Sequence, residues 1–417
     1  MKPALDIFDV RDAAAPFAFT GFDSLIAPLG RAAFDADYHE QAPLFIKRAC
    51  PGYFGALFSM EDVDHLIGSR LLRSGDIRLA RDGAVTPYSA ISVDGTAGGA
   101  ADRNAIMQAY AGGATVVFEH LNRHHPVLGR ALAQCEVELE FPVRANSYLT
   151  PARSSGFSLH YDTHDVLVLQ VSGSKTWQIW DNPLPLPHEE QPFSPTVLAR
   201  ARQLAEVTLE PGDVLYLPRG FIHGASANDE PSLHLTLGMR SMTLRDVALS
   251  ALKHAAMATP QLRQVARFRG PQRQTMLAQS RQWLHEALDD VDIGALFDDV
   301  LYSFIRKRTR PMDGRLLALH APPVVNHDTL LRVRPDCLMH VFEKRDQVAL
   351  AVDGRTIMFP HGVQGAIGYM RTHALFAPAE LPGMERNSQL ILTQRLCTEG
   401  VLEPAHQDAS HLPQEDA

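Results

Sequence analysis

Long apolar runs are missing from this chain. None approaches the roughly 18 residues needed to cross a bilayer, so no membrane-spanning helix is expected. Met-Lys-Pro-Ala-Leu-Asp at the start, with Asp6 and Asp9 interrupting any apolar stretch, lacks the basic, apolar, small-residue order of a secretory signal, and a cytoplasmic location is expected. Cysteine is scarce. Cys50, Cys135, Cys337 and Cys397 lie far apart with no C-x-x-C pair, which speaks against a disulfide framework and a thiolate zinc site. They read as reduced core residues. An excess of positive charge is lacking too: 39 Lys and Arg face 48 Asp and Glu, a formal charge of −9, which argues against a nucleic-acid partner held by bulk electrostatics. Internal repeats are absent, and the one biased tract is the Pro-rich loop Asn182 to Pro195.

The 417 residues exceed the size, about 250–300 residues, at which one core stops growing, so two or three structural units are expected. Charge is uneven along them. Residues 241–320 hold twelve Lys or Arg against eight Asp or Glu, and their densest cluster, Arg306, Lys307, Arg308 and Arg310, reads as the cationic end of a helix.

Phe141 to Tyr148, Val166 to Val171, Lys175 to Trp180, Val214 to Leu217 and Leu233 to Met239 are rich in the β-branched and aromatic residues that suit strands. Ser172-Gly173-Ser174 and Pro211-Gly212-Asp213 are turn signals between them. Many short strands with little helical pattern between them predict an antiparallel barrel or sandwich. From Leu244 to Arg310 apolar residues recur at helical spacing until Pro311. A third segment pairs Val348 to Val352 with Thr356 to Phe359 across Asp353-Gly354-Arg355, with a helix on either side of the loop Phe376 to Pro382, the second spanning about Glu385 to Thr398. Helices beside a short strand pair predict a winged-helix shape, and the lack of a basic stripe on the second helix assigns it a packing role.

Candidate chemistry centres on Ser158-Leu159-His160-Tyr161-Asp162. Two residues apart on an extended backbone, His160 and Asp162 project from one face and form a possible chelating pair. Sixty-one residues after Asp162, a strand running into a Pro/Gly turn carries His223. In a barrel such distant segments can be neighbours, which would complete a two-histidine, one-carboxylate set suited to iron(II) with open positions. With nineteen histidines in the chain, an H-x-D pair alone can also arise by chance. Lys175 begins a largely apolar strand; it either points to solvent or enters the barrel, where it needs an anion such as the distal carboxylate of 2-oxoglutarate. Asn146 and Tyr148 share one strand face and can serve the same cosubstrate or be satisfied core polar groups. If its strand continues, His164 shares the face of Asp162 and Asp165 points away. His124 and His125, before Pro126, read as solvent-facing residues at a helix start.

Taken in order, N-x-Y-x-T-P (Asn146 to Pro151), H-Y-D, L-Q-V-x-G-x-K-x-W (Leu169 to Trp177), E-P-G-D-V-L-Y-L-P-R-G-F-x-H (Glu210 to His223) and H-L-T (His234 to Thr236) resemble the JmjC ribosomal-oxygenase group of the cupin superfamily, the cupin-4 type of 2-oxoglutarate/iron oxygenases. Pro51-Gly52-Tyr53-Phe54, leading to Phe58 to Asp62, resembles that group's N-terminal segment. The resemblance implies an α+β fold: a double-stranded β-helix (JmjC/cupin) barrel over 1–243, a helical dimerisation unit over 244–311 and a winged-helix-like domain over 312–404, with 405–417 read as a disordered tail. It implies His160, Asp162 and His223 for Fe(II), Lys175, Asn146 and Tyr148 for 2-oxoglutarate, and Thr176 and Thr236 as further lining of that pocket. Dioxygen is the implied co-reactant, the implied reaction is hydroxylation of a protein or peptide substrate such as a ribosomal protein, and the implied assembly is a homodimer. The same core acting on another peptide or a small molecule, or serving as a catalytically silent scaffold, are the alternatives.

Overall fold

The structure is a computed structural model that describes residues 5–11, 17–69, 71–289, 291–312, 315–344 and 347–405. Apart from Ala405, the expected disordered tail lies outside the described residues. The chain divides into two compact units, Met1–Ser241 and Met242–Ala417.

In the first unit the strands are β1 (Asp6–Asp9), β2 (Leu44–Lys47), β3 (Ile77–Arg81), β4 (Ala84–Val85), β5 (Thr115–Phe118), β6 (Val143–Thr150) and β7 (Asp165–Ser172). They continue with β8 (Lys175–Trp180), β9 (Gln203–Leu209), β10 (Val214–Leu217), β11 (His223–Ala227) and β12 (Ser232–Met239). Two sheets result, one ordered β1-β2-β10-β7-β12-β6-β5-β3-β4 and a smaller one ordered β11-β8-β9. All five strands expected from composition are present, with ends shifted by at most two residues. β7 sits between β10 and β12 and is buried along nearly its whole length, which is why its sequence, DVLVLQVS, is an almost unbroken apolar run. β8 faces a mixed environment instead: Lys175, Trp177 and Ile179 are buried, while Thr176 and Gln178 between them are not. Phe45, Val166, Val168, Trp177, Ile179, Leu209, Leu215 and Leu217, drawn from both sheets, pack into one core.

Helix α1 (Phe22–Ile26), α2 (Arg31–Asp37), α3 (Met60–Gly68), α4 (Arg103–Ala111) and α5 (Pro126–Leu139) complete this unit. His125 caps α5, its Nδ1 accepting from Leu128 N at 3.3 Å, and its Nε2 lies 3.3 Å from Asp62; His124 Nε2 lies 3.3 Å from Asp76. Both rings are therefore half-buried and partnered, a correction to their expected solvent-facing role.

The second unit begins with α6 (Leu244–Ala258), α7 (Pro271–Asp289), α8 (Ile293–Lys307) and α9 (Arg315–His320). Then come β13 (Leu331–Val333), a three-stranded antiparallel sheet of β14 (Met339–Lys344), β15 (Gln347–Val352) and β16 (Arg355–Phe359), α10 (Gln364–Thr372), α11 (Arg386–Thr398) and β17 (Leu402–Pro404). The Asp-Gly turn stands where its signal placed it, and β14 was not foreseen. Arg306 and Lys307 close α8 as expected, but Arg308 and Arg310 are buried: Arg308 pairs with Asp353, and Arg310 reaches Asp353 at 2.5 Å and Asp336 at 3.3 Å. Half of the basic cluster is thus a charged helix end and half an internal ion-pair network. Three of the four cysteines are buried, Cys50 is only partly so, and all four are free.

The turn that aims β8 is tightly specified. Gly173 has φ +61°, and a Cβ there would lie 1.9 Å from the carbonyl oxygen of Pro231. A Gly173→Ala substitution is expected to lower unfolding free energy by about 2 kcal/mol or more, through left-handed strain plus a backbone clash. Urea denaturation checks it; a change within experimental error would contradict the tight turn.

Candidate metal centre

His160 reaches the site just before β7, and His223 opens β11. Their backbones are locked together: His223 N donates to His160 O at 2.7 Å and His160 N donates to His223 O at 3.0 Å. That reciprocal pair brings the two rings to 4.7 Å between centroids. Asp162 is anchored by Gly220 N, which donates to its carbonyl at 3.1 Å, and its Oδ2 lies 3.5 Å from His223 Nε2. One ligand atom from each of His160, Asp162 and His223 falls within 4.8 Å of the others.

Both imidazoles are oriented in the same way. Nδ1 of His160 lies 2.8 Å from Ser158 O, and Nδ1 of His223 lies 3.0 Å from Phe221 O. A carbonyl can only accept, so each Nδ1 carries the proton and each Nε2 keeps its lone pair for a cation. Burial, reinforced by the neighbouring His160, pushes the His223 imidazole down to about 4, which keeps it neutral and able to ligate. Burial opposes ionisation of Asp162, but the imidazoles of His223, His164 and His160 outweigh it and hold the carboxyl below the usual carboxylate range. Two imidazole nitrogens and one carboxylate oxygen form a donor set fit for a divalent transition metal.

The three groups line a cavity of about 370 Å³. Its deep end holds Lys175, 4% exposed, whose Nζ donates to Thr150 Oγ1 at 3.0 Å. No carboxylate among the described residues pairs with it, and burial alone pulls its pKa from the ordinary lysine value to about 7. Of the two orientations open from sequence, the inward one holds. Asn146, Tyr148 and Thr236 also line the cavity, on paired strands in which Asn146 faces Thr236 and Tyr148 faces His234. Asn146 Oδ1 accepts from His120 N at 2.9 Å, and burial and then Asp162 raise the Tyr148 phenol to about 12, so it stays protonated.

Thr176 is not part of this wall. Its hydroxyl lies 3.0 Å from Thr208 Oγ1 and donates to Asn228 Oδ1 at 3.0 Å, on the opposite face of β8 from Lys175. A strand alternates its side chains, so Lys175 and Thr176 cannot both face the cavity. Asp165 points away from the site as expected, accepting from Tyr216 Oη at 2.6 Å and Arg219 N at 2.9 Å. His164 lies before β7 rather than within it, yet lines the cavity.

His234 was quoted only as part of a motif, yet it is central. It is 2% exposed, stacks on Tyr148 at 4.8 Å with 3° between planes, and meets Trp177 edge-on at 5.5 Å. Burial, and then Lys175, keep its imidazole neutral. Period-two spacing from Thr236 was the available signal. Arg78 also lines the cavity, paired with Glu119 and lying 5.4 Å over the Phe157 ring. It comes from β3, between the Pro51 to Asp62 segment and the motif that begins at Asn146, and no local pattern marks it.

Residues 123–247 match the JmjC domain family, and the chain therefore carries a JmjC domain. Over 221 residues it is 34% identical to ribosomal oxygenase 1 of Gallus gallus, a match covering 52% of this chain and 36% of that protein. It is 32% identical over 221 residues to ribosomal oxygenase 2 of Mus musculus, covering 52% of this chain and 46% of the relative. The chain thus spans less than half the length of these curated relatives. The crystal structure of Escherichia coli ribosomal oxygenase YcfD aligns with 90% of this chain and 98% of its own, at 18% identity and a TM-score of 0.51, a likeness of fold. The barrel is accordingly of the JmjC cupin type.

A buried lysine without an acid costs stability, which gives a sign to its pH dependence. In the unfolded chain Lys175 titrates near ~10.4; folded, it titrates at about 7. Stability is therefore lost as pH falls from the first value to the second, because the unfolded state binds the proton first. The Lys175→Met variant is expected to melt higher than the parent at pH 7 to 8, with the gap closing toward pH 10.5. A variant that melts lower throughout would contradict the unpaired ammonium.

Proposed function

We propose that this chain is an oxygenase that uses iron(II), 2-oxoglutarate and dioxygen to hydroxylate a protein side chain, with a ribosomal protein as substrate. The observation that carries this function is the convergence of two imidazoles and one carboxylate within 4.8 Å, beside a buried lysine with no acidic partner among the described residues. In this assignment His160 and His223 would hold the iron through Nε2 and Asp162 through its carboxylate, a three-donor protein set that suits an iron also binding a chelating cosubstrate and dioxygen. Lys175 takes the distal carboxylate of 2-oxoglutarate, an anion that satisfies its charge and raises its pKa again. Asn146, Tyr148 and Thr236 offer an amide, a phenol and a hydroxyl along the wall. Iron(II) with 2-oxoglutarate supplies, when bound, the oxidising power that places one atom of dioxygen in a substrate C–H bond, the other leaving in succinate as carbon dioxide departs. The rest belongs to the chain: His234, Tyr148 and Trp177 form a tight aromatic wall that keeps the cosubstrate in one pose and water out.

The relatives' names support the same class: ribosomal oxygenases 1 and 2, and a Branchiostoma floridae protein, 31% identical over 236 residues, called bifunctional lysine-specific demethylase and histidyl-hydroxylase NO66. One structure of YcfD is in complex with cobalt and 2-oxoglutarate, cobalt being a divalent stand-in for iron.

The proposal extends to the second unit: residues 244–311 as a helical dimerisation unit and 312–404 as a winged-helix-like domain. Support for the first is the apolar surface its helices leave open, including Leu249, Leu252, Leu277 and Phe297 at 48%, 41%, 56% and 51% exposure. Support for the second is the three-stranded sheet β14-β15-β16 set among α10 and α11.

With iron(II) under air the chain is expected to convert 2-oxoglutarate to succinate, and His223→Ala and Asp162→Ala to lose that conversion by about 100-fold or more. Mass spectrometry of host ribosomal proteins is expected to show one added oxygen atom that disappears when the gene is removed. Intact metal binding without succinate would favour a silent scaffold, and an unchanged ribosomal spectrum another substrate. Light scattering at micromolar concentration is expected to return the mass of a dimer; a monomer contradicts the helical unit's role.

A further inference from the structure

The inner row of β6 runs Arg144, Asn146, Tyr148, Thr150, one residue in two. Thr150 meets Lys175 at the deep end. Arg144 therefore stands at the other end, about 20 Å along the strand, and it lines the cavity. β12 runs antiparallel to β6, pairing Ser232 with Thr150 and Gly238 with Arg144. Arg240 follows, its N donating to Pro142 O at 3.0 Å, so that it stands diagonally across from Arg144 and lines the cavity at the same end. A five-carbon diacid anchored on Lys175 cannot reach either guanidinium.

One of these guanidiniums has no direct counter-charge and the other has only an exposed one. The Arg144 side chain is exposed and makes no hydrogen bond or ion pair with any described residue. Arg240 pairs with Glu189 of the Pro-rich loop at 3.0 Å, but the two side chains are 42% and 62% exposed, a contact of the kind that an incoming anion readily replaces. Partial desolvation, then the charges of Arg240 and Arg123, depress the Arg144 guanidinium against an opposing Glu136. Between the arginines Gly238 has no side chain, and the His164 ring fills the space where a Cβ would project, its Nε2 2.8 Å from that point. This cluster sits in an otherwise acidic unit, since residues 1–241 hold 19 Lys and Arg against 28 Asp and Glu.

We propose that Arg144 and Arg240 form an anion-recognising rim that selects a protein segment bearing a carboxylate beside the residue to be modified and rejects a cationic one. The rim rests on the oxygenase assignment only for what happens to the bound segment. Like-charge juxtaposition discriminates by repulsion as much as by attraction, so a lysine-rich segment, or a methylated lysine offered as target, is disfavoured at this mouth. A carboxylate fits the planar guanidinium fork, and the 3.0 Å contact with Glu189 already presents that pairing from within the chain. The net negative charge of the surrounding unit opposes a polyanion at range, which favours a short acidic peptide segment over RNA.

The test uses the full chain loaded with manganese(II) and 2-oxoglutarate under nitrogen, so that no turnover occurs. Two fluorescein-labelled peptides of equal length, one glutamate-rich and one lysine-rich, and a labelled oligouridine are titrated by anisotropy. The glutamate peptide is expected to bind about five-fold or more tighter than the lysine peptide at low salt, with the gap narrowing as salt is added. The double variant Arg144→Gln/Arg240→Gln is expected to lose the preference while keeping its melting temperature, and Arg144→Lys/Arg240→Lys to retain part of it. Equal binding of the two peptides, a preference surviving in the Gln variant, or an oligouridine that outcompetes the glutamate peptide would overturn the rim. Titration of 2-oxoglutarate into the manganese-loaded chain, before any peptide is added, separates the two proposals: a preference without cosubstrate binding removes the oxygenase assignment and leaves the rim, and the converse removes the rim alone.

Discussion

Two reciprocal backbone hydrogen bonds, between His160 and His223 at 2.7 and 3.0 Å, set the geometry on which the candidate site depends. They join the segment entering β7 to the start of β11, and β11 is in turn paired with β8, so three sequence-distant pieces of chain are held in one register. Because this contact is made by backbone groups, it fixes where both imidazoles begin whatever else the pocket holds. The carbonyls of Ser158 and Phe221 then fix how the rings turn. The donor set is therefore preorganised by ordinary strand pairing plus two local hydrogen bonds, with the cost of ordering met by folding rather than by metal binding.

Electrostatics divides the cavity into zones. At the centre, burial keeps His223 neutral while the surrounding imidazoles keep Asp162 ionised, a combination that suits a cation. The deep end holds a lysine that burial has brought to about 7, and the neutral His234 beside it avoids a second buried positive charge. Arg144 and Arg240 line the other end, with the exposed Glu189 paired to Arg240. Each zone departs from what stability alone would select, and such departures cluster where function is placed.

Much of this was legible before any coordinates. β7 and β12 announce themselves through β-branched density, α8 through its apolar spacing, and the Asp353-Gly354 turn through its dipeptide. The cluster of His160, Asp162 and His223 was legible because two of its members stand two residues apart and the third follows a Pro/Gly turn. β9 was not, since its sequence, QLAEVTL, is half polar on an edge strand that neighbours only β8. Thr176 was misassigned against a rule already in hand: once Lys175 points inward, the next residue must point out. Arg78 and the pairing of Arg144 with Arg240 were invisible because they depend on which strands become neighbours, and sheet order is not written in any one segment. The network joining Arg308 and Arg310 to Asp353 was hidden for the same reason, a charge run being equally compatible with solvent and with buried partners.

The central claim is that one ion is shared by His160, Asp162 and His223. X-ray absorption at the metal edge of the cobalt-loaded chain, recorded with and without 2-oxoglutarate, addresses it directly. Two imidazole ligands in a shell otherwise made of oxygen, with further oxygen replacing water when 2-oxoglutarate is added, is the predicted result. A shell with one imidazole or none, or one that does not respond to 2-oxoglutarate, would contradict the account.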